Sequence, residues 1–289
     1  MIPTFKLPQT FERSKLEQAQ KFESRFTLRT QKVVDIIVSS LQKLSKFLPN
    51  VKSPSFLFDD RYCSPIIHAD EGFHKVLSTT LSQPHNLENL SIFFSTASKY
   101  VLGDLGFLFL TENVLPKIKN LITFSLIIDQ TQVSNQALKA LSRVNWRTWP
   151  NLEQFRVDIS EPSFRENDLL QFLNIVPNVK DLLLGFGNTQ LTDQALEAFS
   201  TKILPSLEAL ERFEVGFWGT KLTSTGVEKF LMNIPNNVKT LLIGLERIEI
   251  KEDVIKLFLD KKLSSLARLK EFRFGISKDN LSKETTVIS

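Results

Sequence analysis

The chain has 289 residues, 42% of them hydrophobic and 24% charged, with a formal net charge of +4 at pH 7. That composition supports a sizeable core, and the longest apolar run, "YVLGDLGFLFL", is too short for a membrane span and contains Asp104. A single cysteine, Cys63, excludes an internal disulfide framework and fits a reducing compartment.

The charge is unevenly placed. Residues 1–55 hold ten Lys and Arg against four acids, net +6, which leaves −2 for all that follows. Residues 1–27 read as a basic N-terminal arm outside the repeat. A basic amphipathic arm suits a mitochondrial transit peptide, but Glu12, Glu17 and Glu23 are out of place in one. The expectation is an intracellular protein, cytoplasmic first, with the mitochondrion kept open.

Residues 28–289 form the second unit. It opens with "TQKVVDIIVSSLQKLSKFL" (30–48), where Val33, Ile37, Leu41, Leu44 and Leu48 share one helical stripe. This reads as a cap helix sealing the first repeat; a membrane-surface or partner-binding helix is the alternative.

From residue 51 onward one phrase recurs: apolar, two variable, apolar, one variable, apolar, one variable, apolar. It begins at Val51, Leu87, Leu121, Leu152, Val179, Leu210, Val238 and Leu269, so the spacings are 36, 34, 31, 27, 31, 28 and 31 residues. The first match is degenerate, with Pro54 where the others have Leu or Phe. The alternating part predicts a short strand with one apolar face. A second phrase follows five of the strands: "VSNQALKAL", "FRENDLLQF", "LTDQALEAF", "LTSTGVEKF" and "IKEDVIKLF". A polar start followed by apolar residues at helical spacing predicts a helix. Pro150, Pro177 and Pro235 then stop the helices, because proline has no N–H to donate and its ring clashes with the preceding turn.

Equivalent residues at equivalent places favour a repeat stack over an ordinary wound α/β sheet, since each unit alone cannot bury its apolar face. The pattern resembles the leucine-rich repeat of the ribonuclease-inhibitor-like class, over roughly residues 48–289. The resemblance implies an α/β solenoid of about eight repeats, a curved horseshoe with parallel strands on its concave face and helices on its convex face. One departure is consistent. The Asn or Cys of the family is replaced by Ser95, Asp129, Ser160, Gly187, Trp218, Glu246 and Ser277, so the turns after the strands must be satisfied otherwise.

Strand residues facing away from the core line the concave side. One column reads Ser91, Ser125, Arg156, Leu183, Glu214, Leu242, Arg273; the next reads Phe93, Ile127, Asp158, Gly185, Gly216, Gly244, Gly275. Four glycines in register mark either close approach of a partner or relief of crowding on a tight inner arc. Together with Trp218, these columns supply the partner-binding candidates: Phe93, Ile127, Arg156, Leu183, Gly185, Gly216, Trp218, Leu242, Gly244, Arg273 and Gly275.

Enzyme chemistry is not expected. "YCSPIIHADEGFH" (62–74) gathers Cys63, His68, Asp70, Glu71 and His74, but not at a zinc spacing. No triad, phosphate loop or cofactor motif occurs, so no metal and no cofactor is assigned. Acids alternate with arginines along the inner columns, which leaves only the basic arm for nucleic acid. "NWRTWP" (145–150) reads as packing between helix and strand, with an interface anchor as the alternative. The last strand leaves an open edge, which a partner or the C-terminal tail is expected to cover. The expected function is a non-catalytic scaffold that binds a protein partner or multiprotein complex. A regulatory module, like a GTPase activator or a ubiquitin-ligase substrate receptor, is the alternative.

Overall fold

The computed structural model describes residues 21–26, 35, 38–39, 42, 52–59, 69–81, 86–95, 104–118, 120–128, 133–160 and 164–276. Nine strands lie in one open, fully parallel sheet in chain order. They are β1 (Lys21–Phe26), β2 (Ser53–Asp59), β3 (Asn89–Ser95), β4 (Thr123–Ile127), β5 (Gln154–Asp158), β6 (Asp181–Gly185), β7 (Arg212–Gly216), β8 (Thr240–Gly244) and β9 (Glu271–Gly275). The helices between them are α1 (Ala69–Thr80), α2 (Leu105–Phe109), α3 (Asn135–Ser142), α4 (Glu166–Leu173), α5 (Asp193–Ala198), α6 (Ser224–Met232) and α7 (Glu252–Leu257). All eight expected strands form, and the architecture is an α/β repeat compatible with a solenoid.

The alternating pattern decides which face is buried. In β5, β7 and β8 the second and fourth residues are buried, and the first, third and fifth are half-buried. Consecutive helices pack on one another in chain order, in a single layer over the buried face. Phenylalanines of neighbouring units touch from unit to unit. Ring centroids step from Phe124 to Phe155 (5.8 Å), Phe172 (6.4 Å), Phe186 (6.4 Å), Phe217 (6.1 Å) and Phe230 (5.2 Å). Each ring is fully buried, so one continuous core runs through the stack.

Unit length follows helix type. After α2, α5 and α7 the chain widens into a π turn and then tightens into a 3-10 turn, as in Phe199–Ile203 followed by Leu204–Ser206. After α4 and α6 it passes directly through "VPNVK" and "IPNNVK" to the next strand. The turns absorb the extra residues of these longer units, three to seven of them, without shifting strand register.

The helix starts are linked across units. The Asp193 carboxylate at the start of α5 accepts from the backbone N–H (2.8 Å) and hydroxyl (2.5 Å) of Thr223, the N-cap of α6. Asn135 Oδ1 accepts from the Arg165 N–H before α4 (2.7 Å), Ser224 Oγ from the Lys251 N–H before α7 (2.9 Å), and Glu166 from the Thr192 hydroxyl before α5. Four orphan N–H groups open every helix. Here one helix partly satisfies the next, which ties unit to unit on the helix side.

Two boundaries differ from expectation. Lys21–Phe26, placed by the sequence in an arm outside the repeat, is the first strand of the sheet; Ser24 pairs with Phe56. Its apolar positions do not match the strand template, because Ser24 stands where the other units have a large apolar residue. Of residues 30–48, Asp35, Val38, Ser39 and Gln42 are described, all helical, and Val38 packs against the core. These residues lie between β1 and β2, the place of a connecting helix rather than of a cap. The expected stripe (Val33, Ile37, Leu41, Leu44, Leu48) and the tail after the last strand (277–289) lie outside the described residues.

Candidate functional site

The face of the sheet opposite the helices carries three rows of side chains that cross the strands. Beside them, at the edge where the strands begin, a further row one residue before each strand reads Lys52, Glu88, Ile122, Glu153, Lys180, Glu211, Lys239 and Lys270, with charges alternating from Glu153 to Lys239. Lys52 pairs with Glu88 (2.6 Å), Lys180 with Glu153 (2.7 Å) and Lys239 with Glu211 (2.7 Å). Successive residues of this row are also backbone partners, from Glu153 to Lys180 to Glu211 to Lys239. A hydrogen bond to Glu153 raises the Lys180 ammonium above the ordinary lysine range, and the one from Lys239 lowers Glu211 below the ordinary carboxylate range.

The next two rows hold an ionic network. Arg156 on β5 meets Asp181 on β6 at 2.5 Å. Arg212 on β7 lies 4.0 Å from Asp181, 3.1 Å from Glu214 and 4.0 Å from Glu271, and Arg273 on β9 lies 3.0 Å from Glu271. Three arginines and three carboxylates therefore neutralise one another across five strands. Asp181 is the inner member, 14% exposed, against 35% for Arg156 and 66% for Arg273. Of the two candidate arginines, Arg156 is engaged within the chain and Arg273 stands out from the sheet.

The row of in-register glycines is filled from above by the chain itself at its two ends, Gly185 and Gly275. A Cβ at Gly185 would strike the Asp158 carboxylate, and one at Gly275 would strike that of Glu246. At Gly244 it would sit 3.0 Å from Glu246 Oε2; at Gly216 it meets nothing closer than Trp218 Cδ1 at 3.8 Å. Two residues past β6, a Cβ at Gly187 would enter the Trp218 indole. Relief of crowding thus explains Gly185, Gly187 and Gly275, while Gly216 stays uncovered.

These residues enclose a hollow of about 390 Å³ on the open face, lined by Asp158, Leu183, Gly185, Glu214, Gly216, Trp218, Leu242, Gly244, Glu246, Arg273 and Gly275 among others. Eight of the eleven sequence candidates meet there. Phe93 and Ile127 continue the glycine row onto β3 and β4, both half-buried, and Arg156 lies in the neighbouring row. The sequence reading left Asp158, Glu214 and Glu246 out of the candidate set. Their place in the same columns was the available signal.

Past the strands, mixed partners satisfy the turns. Ser160 Oγ accepts from the Gly187 N–H (2.9 Å), the Trp218 carbonyl from Asn188 N–H (2.7 Å) and the Glu246 carbonyl from Gly219 N–H (3.0 Å). After β6, β7 and β8 the turn then takes a left-handed residue at one fixed place, three past the end of the strand: Asn188 (φ 55°), Gly219 (φ 67°) and Arg247 (φ 62°). Arginine is rare in that region. Its guanidinium lies over the Trp218 ring, 5.7 Å from the centroid, a cation–π contact beside the hollow.

Elsewhere, Trp146 is 1% exposed and wedged against Phe124, Phe155 and Trp149, which is packing. Trp149 is half-buried beside a hollow of about 630 Å³ between α2 and α3. Cys63 and His68 lie outside the described residues, and His74 stands edge-on to Phe109. Among the described residues no three His, Cys, Asp or Glu converge on a metal position. Nor is any helix among them long and apolar enough to cross a membrane. No protein-family model matches the chain, and no curated protein matches it.

Proposed function

We propose that the protein is a non-catalytic scaffold resembling the leucine-rich repeat, a subunit or adaptor of a larger assembly that binds a protein partner through its open sheet face. The observation that carries this reading is the exposure of the same face on consecutive strands from β2 to β9, while all helices pack on the other side. Strands sit about 4.8 Å apart, and packed helices need about 8–10 Å, so a long stack of such units curves with its strands inward. A curved inner face of half-buried Phe93, Ile127, Leu183, Trp218 and Leu242 among paired charges has the composition of an interface: an apolar centre with a polar rim. The binding is steric and polar; no bond is made or broken.

Size-exclusion chromatography of native extract tests the assembly. A high-mass species at fixed stoichiometry, lost with Leu183→Arg or Leu242→Arg in a chain of unchanged circular dichroism, is the expected outcome. A wild-type chain that elutes only as a free monomer would refute it.

A further inference from the structure

Two carboxylates line the hollow with Trp218, and neither meets a cation among the described residues. Among those residues the Asp158 carboxylate on β5 accepts only the Ser160 N–H, at 3.0 Å. The Glu246 carboxylate, just past β8, makes no hydrogen bond or ion pair among the described residues. The other carboxylates of this face, Asp181, Glu214 and Glu271, are held by arginines. Negative charge therefore remains unneutralised in a half-buried place, where low dielectric strengthens its attraction for a cation. Trp218 already takes one guanidinium, that of Arg247, on its ring.

We infer that this hollow binds an extended basic segment of a partner protein, with two Arg or Lys side chains reaching Asp158 and Glu246. The inference rests on the open face being the binding surface, and names what that surface recognises. Charge complementarity selects the occupant. Geometry sets the spacing: β5 and β8 are three strand intervals apart, about 14 Å, and an extended chain rises about 3.3 Å per residue, so the two cations stand about four residues apart. Gly216 and Gly244, between them, present no side chain to a backbone passing overhead. The row continues over Ile127 and Phe93, which places an apolar side chain of the partner beyond its first cation.

Fluorescence anisotropy with the full chain and a labelled peptide FGGRGGGRG, against FGGEGGGEG, tests this. Saturable binding of the basic peptide is expected. So are its weakening by about tenfold or more in Asp158→Asn/Glu246→Gln and its decline with added salt. Both substitutions keep an acceptor and the side-chain shape, so the fold is retained. No binding of the basic peptide, equal binding of the two peptides, or an unchanged affinity in the double variant overturns the inference. Self-association of the chain without peptide, abolished in the same variant, overturns it in favour of a second copy. A native assembly that survives the double variant but not Leu183→Arg removes the cation assignment alone; one that survives both also removes the scaffold reading.

Discussion

The open face is chemically two surfaces on one backbone. Over β2, β3 and β4 the rows of first, third and fifth strand residues are uncharged: Ser53, Asn89 and Thr123, then Ser55, Ser91 and Ser125, then Leu57, Phe93 and Ile127. Over β5 to β9 the same rows carry Asp181, Arg212 and Glu271, then Arg156, Glu214 and Arg273, then Asp158 and four glycines. The buried side does not change in this way, since Phe, Leu, Ile and Val occupy its positions throughout. A repeat is held by what its units bury against each other, so the exposed rows are free to differ. Where charge accumulates, it is neutralised strand to strand, except at Asp158 and Glu246.

The junction between the two surfaces offers the largest expected effect. Phe155→Ala removes a fully buried ring that touches Phe124, Trp146 and Phe172, and should cost about 3–5 kcal/mol in urea denaturation. If the stack unfolds in two steps instead of one, the halves are energetically separable as well as chemically distinct. Next comes the ionic side. Asp181→Ala leaves Arg156 and Arg212 without their shared carboxylate and should cost about 1–3 kcal/mol. A change on the uncharged side, Ser91→Ala, should stay within about 0.5 kcal/mol. Equal effects at the two sites would erase the distinction. Thr223→Ala removes an N-cap hydroxyl that both accepts from its own helix and donates to Asp193, and about 1 kcal/mol is expected from its melting curve.

The smallest effect belongs to the charged rim. Because Lys239 lowers the Glu211 carboxyl, the folded state binds fewer protons there than the unfolded one. That contribution is present above the unfolded value and is lost as pH falls through the folded one. Lys180, raised by Glu153, behaves oppositely: its contribution is present below the ordinary lysine range and is lost as pH rises through the folded value. Glu211→Gln should therefore flatten only the acid limb of a stability–pH curve, and Lys180→Met only the alkaline limb. A change in the opposite limb would refute the assignment.

Much of this was legible residue by residue. Phe155, Phe186 and Phe213 announced burial by their spacing, and Ser134 and Thr223 announced helix starts. Leu183, Trp218 and Leu242 announced the open face. Lys21–Phe26 did not announce a strand, because Ser24 breaks the apolar alternation and only pairing with β2 recruits it. The glycines were ambiguous because a missing side chain does not say what fills its space. Asp158, Glu246 and Trp218, from other strands, do.

The sequence by itself determined the number, order and buried side of the eight strands it repeats, because burial follows from a period that each short segment carries within itself. The tertiary structure alone decided which charges neutralise one another, which carboxylates stay free and where Arg247 meets Trp218. Most of those contacts join residues about one or more repeats apart, and strand register, not local pattern, sets their distances.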